Sequence, residues 1–219
     1  IIPGEIDNGS TDNCGIQNLA LDETSFDCSE VGSGNVVTLT VTDVNGNTST
    51  CTATVTVEDN VPPIALCQDI TVQLDATGNA TITPGEIDNG STDNCGIQSL
   101  ALDETAFDCS EVGSGNVVTL TVTDVNGNTS TCTATVTVED NVAPTALCQD
   151  ITVQLDATGN ASITPGEIDN GSADSCGLQS LTLDETDFDC SEVGSGNVVT
   201  LTVTDVNGNT STCTATVTV

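Results

Sequence analysis

The chain has 219 residues, 33 of them acidic, and contains no Lys, Arg or His, so its formal net charge is −33. Nothing in it can neutralise phosphates, which excludes nucleic acid as a partner and disfavours anionic membrane surfaces. No apolar run approaches the length of a transmembrane helix and no stretch reads as a signal peptide, so any export signal or anchor is expected outside these residues; with no Trp, Tyr or Met and only 3 Phe any core must be aliphatic and thin.

The organising feature is a repeat. PGEIDNGS begins at Pro3, at Pro84 and at Pro165, evenly spaced with a period of 81. Residues 1–60 match 82–141 except at Ile2/Thr83, Asn18/Ser99 and Ser25/Ala106. Residues 61–141 and 142–219 read as complete modules. Residues 1–60 read as a partial one, without the segment equivalent to Val61–Thr81. The phase of the repeat is that of a window cut from a longer array, and near-identical copies serve length and multiplicity better than they serve catalysis.

Within a module every local pattern calls for strand. After the linker Glu58-Asp59-Asn60 and Val61-Pro62-Pro63, a polar stretch stiffened by proline, Ile70, Val72 and Leu74 make an inward row. The turn Ala76-Thr77-Gly78-Asn79 follows, and Ala80 and Ile82 return the chain. A Gly/Ser/Asn-rich loop, Asp88–Asn94, leads to Leu100 and Leu102 and then Phe107. Val118–Thr123 and Cys132–Val138 alternate apolar residues with Thr at period two, one face packed and the other wet. Between them the Asn126-Gly127 pair signals a two-residue hairpin of type I′, in which both central residues take positive φ. About seven short strands in one repeat, with no helix-period segment, predict tandem immunoglobulin-like β-sandwiches, an all-β fold arranged as an elongated array.

The 11 cysteines fall four to a complete module and three in the partial one. Even numbers at fixed spacing, with no His beside them, point to disulfides and an oxidising compartment, with a Cys₄ metal site as the rival reading. Four cysteines allow three connectivities. The favoured set is Cys67–Cys132 with Cys148–Cys213, tying the opening segment to the last strand, and Cys95–Cys109 with Cys14–Cys28 and Cys176–Cys190, closing short loops. Cys51 would then pair upstream. A loop of some 65 residues closed by a disulfide contributes on the order of 4 kcal/mol in the chain-entropy model.

Pro63-(x)₃-Cys67 near the start, with Thr-Val-Thr-Asp124-(x)₂-Gly127-Asn128-(x)₃-Cys132-(x)₃-Val136-Thr137-Val138 at the end, resembles the hyalin repeat, or HYR, module. The likeness covers every module. It implies an immunoglobulin-like fold in extracellular and adhesion proteins, acting as a binding and spacing unit. The layout also resembles the tandem arrays of very large secreted or surface proteins of Bacteroidetes. The inner cysteine pair departs from the simplest pattern of the family, and its assignment rests on spacing alone.

The acidic residues supply the candidate site. If the first strand runs away from the preceding linker and the second returns, the Asp88–Asn94 loop and the Asp124–Asn128 hairpin fall at the linker end. Glu58, Asp59 and Asn60 then meet Asp88, Asp93, Asp124 and Asn126, and one repeat later Glu139, Asp140 and Asn141 meet Asp169, Asp174, Asp205 and Asn207. Carboxylate and amide oxygens are what Ca²⁺ takes, six to eight at a time, so the expectation is that Ca²⁺ clamps and stiffens the junctions. Taken singly, these residues also read as turn formers and polar linker. Asp103-Glu104 and Asp108-Cys109-Ser110-Glu111 read as solvated loops.

These features predict a disulfide-bonded spacer or fibre region of an extracellular filament or giant surface adhesin, secreted and bacterial, whose partners are further copies of the same repeat along the chain and laterally. The alternatives are a laterally polymerising fibre without metal dependence, or a surface-binding module whose Thr rows, such as Thr119-Thr121-Thr123, face ice or glycan. An enzyme is disfavoured, because paired carboxylates have neither an aromatic sugar platform nor a His or Lys base beside them. The sequons at Asn8, Asn47 and Asn79 are as frequent as chance allows in a chain this rich in Thr and Asn.

Overall fold

Alternating Val and Thr cannot fold without a second layer to cover the valines, and the third repeat shows how they are covered. In the computed structural model, which describes residues 1–219, Leu178–Leu183, Ser195–Asp205, Thr210–Thr218 and Ile151–Thr152 form a four-stranded sheet. The last of these runs parallel to Val217–Thr218, while the long hairpin is antiparallel with Val199 opposite Ala215 and Leu201 opposite Cys213. A two-stranded ribbon, Asn160–Ser162 with Asp187–Asp189, supplies the other layer. Ile163, Ile168, Phe188, Val199, Leu201, Val203, Ala215 and Val217 close into one core between them. This is an all-β sandwich, and the period of two puts every second residue of the hairpin inside.

The second repeat has the same order: Ile97–Leu102, Gly113–Asp124, Thr129–Glu139 and Ile70–Gln73 in one sheet, Asn79–Thr81 with Ala106–Asp108 in the ribbon. Ile70–Gln73 runs parallel to Val136–Glu139. In the first repeat Ile16–Leu21, Gly32–Asp43 and Thr48–Val57 form a three-stranded sheet. No strand pairs outside Thr48–Val57, and Ala53, Val55 and Val57 are accordingly half-buried where Ala134, Val136 and Val138 are buried.

The chain divides into two units. The first comprises residues 1–65, 90–100 and 121–131, and the second residues 66–89, 101–120 and 132–219. No helix is long and apolar enough to cross a membrane.

Two sequence-based expectations need correction. The first concerns the hairpin. Asn126 does not take positive φ; Gly127 does, at 93°. The Asp124 backbone N–H donates to the Asn128 carbonyl at 3.0 Å, so the loop holds three residues, Val125, Asn126 and Gly127. The Asp124 carboxylate selects this form by accepting from the Asn126 and Asn128 N–H groups at 2.9 and 2.8 Å. Such a loop needs only one left-handed residue, the glycine.

The second concerns the cysteines. The structure contains Cys67–Cys132 and Cys148–Cys213, each closing 65 residues, so the Cys₄ metal reading fails. The inner cysteines, however, do not pair as Cys14–Cys28, Cys95–Cys109 and Cys176–Cys190. They pair between repeats, as Cys28–Cys95 and Cys109–Cys176, each across 67 residues. Cys95 stands before the six-residue strand Ile97–Leu102 and Cys109 after the next strand. Six residues of strand span about 20 Å, well beyond the roughly 4.4–6.8 Å that a disulfide allows between Cα atoms. Cys14, Cys51 and Cys190 are unpaired and exposed.

Helical turns too short to leave a period also appear. Pro84–Ile87 and Pro165–Ile168 are single turns opened by proline and closed by a reciprocal cap, Glu86 accepting from the Thr83 N–H at 2.7 Å. They bury Ile87 and Ile168 completely.

Candidate metal centre

Within the first unit, Asp59, Asp93 and Asp124 bring carboxylate oxygens within 4.8 Å of one another. Three different elements deliver them: the linker, the loop before Ile97–Leu102, and the start of the hairpin turn. Each is aimed by its own local bond. The Asp59 Oδ1 accepts from the Val61 N–H at 3.0 Å, and the Asp93 Oδ1 accepts from the N–H groups of Cys95 and Gly96 at 2.8 and 3.0 Å. Asp124 is fully buried, and its Oδ2 accepts from the Asn128 side-chain amide at 2.8 Å. Burial works against ionisation of Asp124, but the amide of Asn128 and the backbone N–H groups of Asn128, Asn126 and Gly127 outweigh it and hold its pKa below the ordinary carboxylate value.

The second oxygens decide what the cluster is for. The Oδ2 atoms of Asp59 and Asp93 are buried and accept no hydrogen bond. An ordinary capping carboxylate turns its free oxygen to water, because an unsatisfied buried oxygen costs free energy. Here both residues belong to a cluster of converging carboxylates, and the chain has no Lys, Arg or His to stand among them. Converging carboxylates with orphaned oxygens are the donor set of a hard cation. Three carboxylates are fewer donors than the six to eight oxygens that Ca²⁺ takes.

The second unit repeats the arrangement in part, with two carboxylates, Asp140 and Asp174, in its cluster and Asp205 outside it. Asp140 is only 6% exposed, its Oδ1 accepts from the Val142 N–H at 3.0 Å, and its Oδ2 is again buried without a partner. Asp140, Asp174 and Cys176 form the corresponding cluster, but the Cys176 sulfur is spent in a disulfide and offers no thiolate. Asp205, fully buried, occupies the place of Asp124, and Asn209 connects it to the linker by donating to Asp205 Oδ2 at 2.9 Å and to the Asp140 carbonyl at 3.0 Å.

The other candidate ligands are not brought into these clusters. Glu58 accepts from the Asn60 amide at 3.3 Å, and Glu139 accepts from Gln73 at 2.7 Å and Asn141 at 3.3 Å, all on the exposed side of the linkers. Asn126 and Asn207 contribute backbone N–H groups to the hairpin aspartates. Asp88 forms an isolated β-bridge with Cys67, and Asp169 takes the hydroxyl and backbone N–H of Ser172, which lower its pKa. Asp103 is not simply solvated: its carboxylate accepts from the Thr119 N–H at 2.7 Å, as Asp184 does from Thr200. Asp69 and Asp150 cap Thr135 and Thr216 in the same way, at 2.7 Å. Aspartates that satisfy strand N–H groups leave no periodic sequence signal, because donor and acceptor lie up to 66 residues apart.

No protein-family model matches the sequence, and no curated protein matches it. Among solved structures the chain is similar to protocadherin gamma C5 EC1-3, at 12% identity over 88% of this chain and 79% of that one, with a TM-score of 0.41. It is also similar to the protocadherin gammaB7 EC3-6 cis-dimer structure, at 18% identity over 89% and 60% with a TM-score of 0.35. Human mucin-like protocadherin EC1-2 gives 17% identity over 69% and 95% with a TM-score of 0.36.

Proposed function

We propose that this chain is a structural and adhesive repeat region of an extracellular protein, built from hyalin-type modules at residues 1–60, 61–141 and 142–219 whose junctions are fixed by Ca²⁺. The observation that carries the reading is the orphaned, buried Oδ2 atoms of Asp59, Asp93 and Asp140 within clusters that lack any protein cation. Asn128 and Asn209 support it by tying each linker to the following hairpin. Four disulfides and a surface without Lys or Arg suit an oxidising, protease-rich exterior. In this reading the protein extends and presents, as a filament or the stalk of a surface adhesin, bacterial by its resemblance.

The test is X-ray scattering and thermal unfolding of the chain in Ca²⁺ and in EDTA. The proposal expects a fall in both maximum dimension and melting temperature on chelation; unchanged values would remove the cation from the account.

A second reading, lateral assembly without metal, draws on Val36, Val117 and Val198, which hold equivalent positions in the three repeats and are 60%, 62% and 62% exposed. Multi-chain fibres in electron micrographs that persist in EDTA would favour it.

A further inference from the structure

The disulfides overlap in sequence. Their loops run from Cys28 to Cys95, Cys67 to Cys132, Cys109 to Cys176 and Cys148 to Cys213. Each begins before the previous one ends, so every peptide bond between Cys28 and Cys213 lies inside at least one closed loop. The loops Cys28–Cys95 and Cys109–Cys176 are the ones that span the linkers, at Glu58–Asn60 and Glu139–Asn141.

We propose that the repeats form a covalent ladder with two rails, so that hydrolysis of a linker does not part the array. One rail runs through the linker, from Cys132 to Cys148, and continues through the disulfides Cys67–Cys132 and Cys148–Cys213. The other runs from Cys95 to Cys109 and continues through Cys28–Cys95 and Cys109–Cys176. The segments 67–95 and 109–132 are the rungs. A cut in a linker leaves the second rail whole, and a cut between Cys95 and Cys109 leaves the first.

The ladder also limits stretch. The only backbone that a rail can pay out in each repeat is the short segment from Cys95 to Cys109, or from Cys132 to Cys148. At about 3.5 Å per extended residue, such a segment yields roughly 50–60 Å per repeat, whereas an unbridged repeat yields about 280 Å. Pairing inside each repeat, as Cys95–Cys109, would have provided neither property: it closes a loop that spans no linker. This inference deepens the reading of the chain as a tether and rests on it, but it does not depend on the cation sites.

The test uses the whole chain with a recognition sequence for a site-specific protease inserted between Asn60 and Val61. After cleavage in EDTA and denaturation with free thiols blocked, the proposal expects one species on a non-reducing gel and two after a phosphine reductant. The C28S/C95S variant, cut in the same way, falls into two without reductant. Peptide mapping of the oxidised chain should recover Cys28–Cys95 and Cys109–Cys176. Single-molecule pulling from end to end should stop at roughly a third of the contour length reached after reduction. Separation of the cut wild-type chain without reductant, or recovery of Cys95–Cys109, would overturn the ladder. Because denaturant and EDTA are present throughout, a failed cation proposal leaves this result intact, and a failed ladder leaves the chelation experiment intact.

Discussion

The side-chain amide of Asn128 donates to the backbone carbonyl of Asp59 at 3.0 Å, across 69 residues of sequence, and the same amide holds the Asp124 carboxylate. One residue thus fixes both the linker and the hairpin on which the carboxylate cluster depends. Asn209 repeats the arrangement with Asp140 and Asp205. The asparagine that follows Gly127 in the turn is therefore a junction residue as well as a turn residue.

Replacing Asn128 with Ala leaves the Asp59 carbonyl and one Asp124 oxygen without that donor. The expected loss is about 1–3 kcal/mol of stability, measured by chemical denaturation. Binding of Ca²⁺ at the first junction should weaken in parallel. A variant as stable as the parent, with unchanged Ca²⁺ affinity, would show that the linker is held by other contacts.

The chain has two converging clusters, and it also has the isolated pair Asp12 and Asp43, which cap their own loop and turn with no linker aspartate beside them. Titration with Tb³⁺ or Ca²⁺ should therefore saturate at two tight sites. D59N and D140N should each remove one. At a Ca²⁺ concentration a hundred times the dissociation constant, each site adds about 2.7 kcal/mol to the folded state. Three equivalent sites, or none, would contradict the assignment.

Gly78 has φ +77°, and a Cβ built there would lie 2.7 Å from the Cys109 sulfur and 3.3 Å from the Ser175 Cβ. Gly78→Ala therefore crowds the Cys109–Cys176 disulfide from a backbone position that cannot retreat. We expect a loss of more than about 1 kcal/mol and slower formation of that disulfide on oxidative refolding, followed by thiol trapping. A neutral effect would mean that the turn shifts freely.

Stability should fall in acid. Hydrogen bonds lower the pKa of Asp75, Asp108, Asp156 and Asp189, in which the Thr77, Ser110, Thr158 and Ser191 side chains come first, and of Asp103, in which the Thr119 N–H does. A folded-state pKa below the unfolded value of about 3.9 stabilises the fold above that pH, and the stabilisation disappears as pH falls through the folded value. Melting temperature in EDTA should hold from pH 6 to about 5 and then decline toward pH 2. A rise on acidification would mean that relief of the net charge outweighs these bonds.

Much was written locally. The period of the repeat and the strands marked by Val-Thr alternation in Val118–Thr123 and Cys132–Val138 follow from neighbours in sequence and from period-two burial, while the pairing of Cys67 with Cys132 is the favoured one of three connectivities. The acidic character of the junction was also legible, because Asp59, Asp93 and Asp124 stand at a linker, a loop and a turn.

The three-dimensional structure decided which members of these sets meet. Burial and backbone donors orient Asp59, Asp93 and Asp124 toward a common point while Glu58 and Asn60 bond to each other at the surface. The inner cysteines are the plainest case. Spacing favours the partner nearer in sequence, yet the strand between Cys95 and Cys109 holds them apart along its length, and the partner within reach lies in the neighbouring repeat. Sequence distance measures the cost of closing a loop, whereas a rigid strand sets where its two ends can be, and in this protein the strand prevails.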